Sequence, residues 1–216
     1  MFDTVAARRM MVDGQIRTAD VTDLDLIGAM LAIPRERFVP AAMAAQAYVD
    51  TDLALGEGRA LLKPMVLAKL IQALRIRKTD HVLDVACGTG YSSAVLAQLA
   101  GSVVALEQNE VLAGQAKQAF AAAEGSIVGA VGPLSAGWPS AAPYDVILLN
   151  GATEVVPEAI GRQLKPDGRL AGIFGRGSIG KAMIYRLIEG QLVGRPIFDA
   201  AAALLPGFAA IPAFSF

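Results

Sequence analysis

The sequence predicts an α/β fold in which a mostly parallel sheet carries an antiparallel C-terminal hairpin and a helical N-terminal cap. A short apolar strand, 82–85, runs through a glycine-containing turn into a segment with helical apolar spacing, 91–100. Strand-like and helix-like segments then alternate along the chain from Met65, as in a parallel sheet covered by helices. Residues 182–198 alternate with period two around Glu189-Gly190, which indicates the antiparallel hairpin.

Residues 1–64 do not follow this alternation. Helical spacing covers residues 5–17, and Asp23 is expected to cap a second helix that Pro34 ends. Residues 52–58 are predicted to form an extended loop. This arm is expected to cap the carboxyl edge of the sheet in residues 65–216, where ligands of open α/β sheets bind, and to form one compact unit with them.

The elements of residues 65–216 are predicted in order from apolar periodicity and turn residues. Asn109 is expected to cap one helix. Residues 165–168 contain Pro and Gly and are expected to form a tight reversal. The predicted helices cover 65–76, 91–100, 110–120 and 155–164, and the predicted strands cover 82–85, 102–106, 126–131, 144–149 and 169–174.

Composition excludes several classes of protein. Hydrophobic residues make up 54% of the chain and mean hydropathy is +0.47, yet no apolar run reaches the roughly 18 residues of a membrane span. The formal net charge of −1 gives no basic field for nucleic acid. One cysteine and an N-terminus without a signal-like apolar core predict a cytoplasmic protein without a disulfide framework.

The turn after the first strand is predicted to hold a ligand. Gly88 and Gly90 place no Cβ between the backbone and a ligand, and the following helix N-terminus offers unpaired N–H groups. Asp84, inside the strand, can reach the charged end of a ligand. Glu107 ends the next strand and is placed to accept hydrogen bonds from two ribose hydroxyls. We therefore expect a cofactor that contains a nucleoside.

Two cofactors fit this arrangement. NAD-binding sites also have an acid about 20 residues after their glycines, which Glu107 matches. In this chain, however, the third small residue of the NAD motif would be Ser93. The NAD motif also has no acid in its first strand, where this chain has Asp84. The pattern Asp84-x-Ala86-x-Gly88-x-Gly90 instead resembles class I S-adenosylmethionine (SAM) methyltransferases, with Ala86 at the first glycine position. A Rossmann-like SAM domain is favoured over an NAD enzyme or a ligand-free core.

Longer stretches resemble the protein-L-isoaspartate O-methyltransferase family over nearly the full length of the chain. They are 11–17, 33–40 and 47–48 in the arm, 82–97 around the turn, and 143–149 and 163–170 further on. The arm is the more specific part, because many methyltransferases share the turn. The resemblance implies SAM as methyl donor, S-adenosyl-L-homocysteine (SAH) as product and an isoaspartyl carboxyl in damaged protein as acceptor.

The resemblance also implies site residues. Leu62 stands where the family has a Ser or Thr beside the methyl-transfer centre, and Lys63 adjoins it. The segment 132–134 replaces a Gly-Asp-Gly whose Asp accepts from the adenine amino group, and losing that bond is expected to cost on the order of 1 kcal/mol. The expected cofactor contacts are Leu61, Asp84, Ala86, Cys87, Gly88, Gly90, Tyr91, Glu107, Gln108, Gly132, Pro133, Leu134 and Asn150.

Methyl transfer to a carboxylate makes few chemical demands. The acceptor is already ionised at pH 7 and needs no general base, so catalysis depends on the proximity and alignment of donor and acceptor. A carboxylate acceptor does favour a nearby cation, for which Arg17, Arg59 and Lys63 are the candidates. No metal site is expected.

Other residues receive mainly structural interpretations. His81, at the start of the first strand, lies away from the ligand edge, and Trp138 is expected to anchor packing. Cys87 is expected to be a small residue beside the cofactor rather than a reactive thiol. For Tyr91, packing in the core and lining of the ligand pocket are equally favoured interpretations. Leu61 and Leu62 either pack under the cap or line an apolar substrate pocket.

Three functions follow from this sequence. The favoured one is SAM-dependent O-methylation of isoaspartyl residues in protein repair. The first alternative is methylation of a different, small apolar acceptor suited to Leu62. The second is a SAM-binding protein without turnover that acts through partners. None of the three involves nucleic acid or a membrane.

Overall fold

The structure is a computed structural model that describes residues 3–121 and 125–210. Its helices are α1 (Thr4–Met11), α2 (Leu24–Ala32), α3 (Pro64–Leu74), α4 (Tyr91–Ala97), α5 (Glu110–Phe120) and α6 (Glu158–Gly161). Its strands are β1 (Leu53–Gly56), β2 (Arg59–Leu61), β3 (His81–Val85), β4 (Ser102–Glu107), β5 (Ile127–Val131), β6 (Tyr144–Thr153), β7 (Leu164–Arg176), β8 (Ile179–Ile188) and β9 (Gln191–Asp199).

The main sheet has the strand order β5-β4-β3-β6-β7-β8-β9. Strands β3 to β7 pair in parallel, whereas β8 is antiparallel to both β7 and β9. The predicted mostly parallel sheet with an antiparallel hairpin at one edge is thus confirmed. The chain runs outward from β3 to β5 and then returns to β6, so strand order reverses beside β3. Ligands of open α/β sheets bind at the carboxyl ends of the strands at such a point.

Apolar side chains cover both faces of this sheet, because successive strand residues point to opposite faces. Val82 and Val146 face one core cluster, and Leu83 and Ile147 face the other. The first cluster also contains Met30 and other residues of the arm. The arm and the sheet therefore share a hydrophobic core.

The arm departs from its predicted elements in two places. In place of the helix expected over 5–17, α1 is followed by a π-helical turn, Val12–Ile16, and a 3₁₀-helical turn, Arg17–Ala19. The extended loop predicted for 52–58 is wrong, because β1 and β2 form an antiparallel hairpin. Positive φ at Gly56, Glu57 and Gly58 reverses the chain there. The cap of α2 by Asp23 is confirmed.

In the rest of the chain, one predicted helix is much shorter than expected. The helix predicted over 155–164 is only α6, which follows Pro157, while β6 extends to Thr153. Pro157 disfavours helical backbone in the residue before it. The apolar residues before Pro157 therefore lie in the segment that connects β6 to α6. Helix α3 ends at Leu74, since Arg75 adopts a left-handed φ of 47°. No helix within the described ranges is both long and apolar enough to cross a membrane.

Candidate active site

The candidate site lies at the carboxyl ends of β3, β4 and β6. The turn after β3 holds Gly88 at φ 58° and Gly90 at φ 94°, a region that disfavours other residues. A Cβ on Gly88 would lie 2.9 Å from the Leu55 side chain, and one on Gly90 would lie 2.5 Å from Phe120. Ala86 adopts φ 69° at the position of the motif's first glycine. The tight turn predicted from the glycines is therefore present.

Asp84 is fully buried at the end of β3. Its Oδ2 accepts hydrogen bonds of 2.6 Å from the hydroxyls of Ser92 and Ser93 on α4. Its Oδ1 has no hydrogen-bond partner among the described residues. Burial raises the pKa of this carboxyl to about 6, although the two hydroxyls and the charge of Arg59 act in the opposite direction. Asp84 thus offers one free buried acceptor that favours a cationic partner.

Asn150 completes this group from β6. Its side-chain amide donates to the Ser92 hydroxyl at 2.6 Å, and its Oδ1 likewise lacks a partner in the described parts of the chain. Buried polar atoms in folded proteins are almost always hydrogen-bonded. Two open acceptors, Asp84 Oδ1 and Asn150 Oδ1, are consistent with a site that a polar ligand completes.

Glu107 lies fully buried at the end of β4, next to the glycine turn. Its Oε2 accepts from the backbone N–H of Gly88 at 2.9 Å, and its Oε1 accepts from the N–H groups of Gln108 and Asn109 at 2.9 and 3.2 Å. Oε2 also accepts from Nε and Nη2 of Arg59, both at 3.3 Å. The expected ribose acid is therefore ion-paired in this conformation.

Arg59 comes from β2 of the arm and is buried. Its Nη2 also donates to the carbonyl oxygen of Ala86 at 2.5 Å. Two further contacts join the arm to the turn: Leu55 packs against Gly88, and the Thr89 hydroxyl donates to the Phe38 carbonyl at 2.6 Å. These contacts place Phe38, Leu55 and Arg59 of the arm against the turn at the carboxyl edge of the sheet.

Leu61 and Leu62 belong to the shared core, and Leu62 is only 1% exposed. The arrangement corresponds to packing under the cap, the first of the two interpretations of this pair. The Leu62 carbonyl accepts from Nη2 of Arg35 at 2.7 Å, and the Lys63 N–H donates to Asp52 at 2.8 Å. The Lys63 side chain is half-buried.

Residues 132–134, expected at the adenine, follow β5. The Gly132 N–H donates to the Glu107 carbonyl at 3.2 Å, so this segment lies beside the end of β4. Leu134 is buried in the second core, while Pro133 is exposed. A cavity of about 670 Å³ borders the same region and is lined in part by Cys87, Glu107 and Val131.

The remaining expected residues divide between the site and the fold. Cys87 is buried, and burial together with the nearby carboxylates raises its pKa well above the usual value, so the thiol stays protonated. Tyr91 is buried with its ring edge-on to Phe38 at 5.5 Å. Arg17 pairs with Asp13 at 3.2 Å on the exposed face of the arm, and no described contact links it to the turn.

His81 and Trp138 have the packing roles predicted for them. The His81 ring stacks on Tyr144 at 4.8 Å and contacts the Ser102 hydroxyl at 2.7 Å. Trp138 packs against the second core, and its backbone N–H donates to the side-chain oxygen of Gln163 at 2.8 Å. Both lie outside the group around Asp84 and Glu107.

Sequence reasoning missed three contributors. Ser92 and Ser93 orient Asp84, and the signal available for them was two hydroxyl side chains in the first turn of the helix after the glycines. Arg35 is fully buried, donates to the Ala47 and Leu62 carbonyls at 2.7 Å each, and lies 4.7 Å from the centre of the Tyr91 ring. Burial lowers its pKa. Its neighbours Pro34, Glu36 and Arg37 gave no signal that this arginine would be buried.

This geometry fits the predicted cofactor. The free Asp84 oxygen suits a protonated amino group, and Glu107, the acid predicted to accept from ribose hydroxyls, lies beside the glycine turn. The cofactor-contact assignments of the individual residues stay predictions. Fold and site together define a Rossmann-like class I methyltransferase.

Comparisons with known proteins identify the family within that class. The profile of protein-L-isoaspartate(D-aspartate) O-methyltransferase (PCMT) matches residues 7–185. A protein-L-isoaspartate O-methyltransferase of Methylorubrum extorquens is 44% identical over 169 residues, which cover 78% of this chain and 74% of the relative. One of Ignicoccus hospitalis is 35% identical over 186 residues, covering 84% and 85%. The chain therefore belongs to the protein-L-isoaspartate O-methyltransferase family, whose methyl donor is SAM.

Solved structures agree with the fold. One protein-L-isoaspartate O-methyltransferase superimposes with a TM-score of 0.80 at 24% identity, covering 93% of this chain and 66% of that one. A Plasmodium falciparum chain assigned to the same enzymes, solved in complex with SAH, superimposes with a TM-score of 0.75 at 14% identity, covering 95% and 99%.

Proposed function

We propose that this protein transfers the methyl group of SAM to the carboxylate of isoaspartyl residues in damaged proteins. The observation that carries the proposal is the pair of buried acids at the carboxyl ends of adjacent strands, Asp84 with a free oxygen and Glu107 beside the glycine turn. Family membership over residues 7–185 supplies the acceptor class.

The residues of this chain serve mainly to bind and align. Asp84 holds a cationic amino group with Oδ1 while Ser92 and Ser93 fix its orientation through Oδ2. Glu107 accepts from ribose hydroxyls, and residues 132–134 border the adenine. SAM supplies an electrophilic methyl group on a sulfonium that leaves readily. Because an isoaspartyl carboxylate is ionised at pH 7, no proton needs to be removed by the protein.

The N-terminal arm, residues 1–64, serves as the cap of this site. Its contacts through Leu55, Arg59 and Phe38 lie directly over the glycine turn. A cap that excludes water strengthens the electrostatic interactions inside a site. Lys63, half-buried at the start of α3, adds a cation next to Leu62, where the acceptor carboxylate is expected.

The test is methyl transfer from labelled SAM to an isoaspartyl peptide, beside the same peptide with a normal aspartyl residue. We expect base-labile label on the isoaspartyl peptide alone. Asp84→Asn is expected to abolish labelling, whereas Arg162→Gln, which removes an exposed ion pair on α6, is expected to retain it. Absence of label with protein that binds SAH would contradict the proposed acceptor.

A further inference from the structure

The ribose acid of this site has no vacant hydrogen-bonding position. A carboxylate offers about four lone-pair sites. In Glu107, backbone N–H groups of Gly88, Gln108 and Asn109 take three of them, and the guanidinium of Arg59 takes the remaining direction at Oε2. A ribose hydroxyl can therefore donate to Glu107 only after one of these donors has left.

Arg59 is the donor that can leave. The three N–H groups are fixed by the backbone of the glycine turn and of the segment after β4. The two contacts of Arg59 with Glu107 are longer, at 3.3 Å each, and its Nη2 also donates to the Ala86 carbonyl at 2.5 Å, a hydrogen bond that breaks when Arg59 leaves. Arg59 also lies on β2, whose one pairing partner among the described strands is β1, in a separate two-stranded sheet. This hairpin can shift without breaking the hydrogen bonds of the main sheet.

A released Arg59 needs a new anionic partner. The side chains of Arg59 and Glu107 are only 3% and 0% exposed. A buried charge that loses its partner is strongly unfavourable, so the guanidinium must find another carboxylate or reach water. Leu62 follows Arg59 by three residues, one residue after the end of β2, so the two Cα atoms lie no more than about 10 Å apart. An arginine side chain bridges most of that distance towards an acceptor carboxylate beside Leu62.

We propose that Arg59 exchanges carboxylates during the catalytic cycle. Without cofactor, Arg59 forms an ion pair with Glu107. When the ribose binds Glu107, Arg59 moves and pairs with the carboxylate of the isoaspartyl substrate. This inference rests on the proposed function for its second step only. Arg59 is then a substrate-binding residue that cofactor binding makes available, so SAM binds before the peptide.

The first measurement is SAH affinity by calorimetry for the unmodified protein, Arg59→Gln and Arg59→Lys, with Arg162→Gln as the control for loss of one exposed arginine. Arg59→Gln removes the competitor for Glu107, and we expect it to bind SAH about three- to tenfold more tightly, with Arg59→Lys in between. Weaker SAH binding by Arg59→Gln would mean that Arg59 supports the cofactor site and would overturn the exchange. Thermal unfolding with and without SAH checks that each variant is folded.

The second measurement separates KM from kcat with an isoaspartyl peptide at saturating SAM. Arg59→Gln is expected to raise KM about tenfold or more with kcat changed less than about threefold, and Arg59→Lys to recover much of the KM. An unchanged KM would refute the substrate step. If the unmodified protein methylates no isoaspartyl peptide, the proposed function fails and the substrate step with it, while the SAH titration still decides whether Arg59 competes for Glu107.

Discussion

The hydroxyl of Ser92 lies 2.6 Å from Oδ2 of Asp84, eight residues earlier in the chain. The same hydroxyl accepts from the amide of Asn150 on β6, so one serine on α4 links the carboxyl ends of two neighbouring strands. This link orients Asp84 with Oδ1 free in a buried setting. The free energy of holding a carboxylate there determines how the site responds to mutation and pH.

Replacing Asp84 with Asn is expected to stabilise the ligand-free protein while abolishing SAH binding. Burial raises the folded-state pKa of Asp84 from 3.8 to about 6, so its contribution to stability declines as pH rises from about 4 through 6. At pH 7 to 8 the buried charge is fully present, and removing it should raise the free energy of unfolding by about 3 kcal/mol. Denaturant unfolding at pH 7.5 and calorimetry with SAH measure the two effects.

Asp145 is the matched control for that substitution. It lies on β6, pairs with Lys165 at 2.8 Å and accepts from the His81 N–H at 2.8 Å. Hydrogen bonds from Lys165 and His81 lower its pKa despite partial burial. Asp145→Asn is therefore expected to lose stability at pH 7.5 and to keep SAH binding. Destabilisation by Asp84→Asn as well would show that its carboxylate is favourable in the fold.

SAH affinity is expected to fall as pH drops below about 6, because protonation of Asp84 removes the charge that holds the cofactor's amino group. The decline should approach tenfold per pH unit well below that value. Ser93→Ala removes a hydroxyl that lowers the pKa of Asp84, so its midpoint should lie at higher pH. Calorimetric titrations from pH 5 to 8 give both curves; coincident curves would argue against control by Asp84.

Arg35→Lys is expected to loosen the arm. The single ammonium nitrogen of lysine cannot occupy the positions of both Nε and Nη2 of Arg35, so the Ala47 or Leu62 carbonyl loses its buried donor. We expect a loss of about 2–4 kcal/mol in the free energy of unfolding and faster hydrogen exchange across residues 47–62. Arg37→Lys, at an exposed position two residues on, is the control and should change neither. Unaltered exchange in Arg35→Lys would show that the arm is held elsewhere.

Leu62→Ser restores the hydroxyl of the family position at the expense of the core. Leu62 is 1% exposed within the shared core cluster, so truncation should cost about 3–5 kcal/mol. Leu24→Ser on α2, where the side chain is 74% exposed, should cost under about 0.5 kcal/mol. Urea unfolding compares the two. Equal, small losses would mean that the hairpin opens and leaves Leu62 exposed in solution.

Local patterns were sufficient where neighbouring residues decide the structure. Asp23 and Asn109 cap their helices as predicted, since capping involves only the next few backbone N–H groups. Asp84 and Glu107 were placed correctly at the ends of β3 and β4, because parallel strands align their carboxyl ends at one edge. The helix prediction over 155–164 was wrong because it used apolar spacing alone and ignored Pro157, which disfavours helical backbone in the residue before it.

The sequence by itself determined the sheet, the glycine turn and the two acids, because each follows from periodicity, backbone freedom at glycine and strand ends. The tertiary structure alone decided which partners those acids have. Arg59 and Glu107 are 48 residues apart, and Asn150 and Ser92 are 58 apart. No periodic pattern relates residues at such separations, since the arm and β6 come together only when the shared core is buried. Burial also sets the pKa of Asp84, which is why the electrostatics of the site appear only in the folded chain.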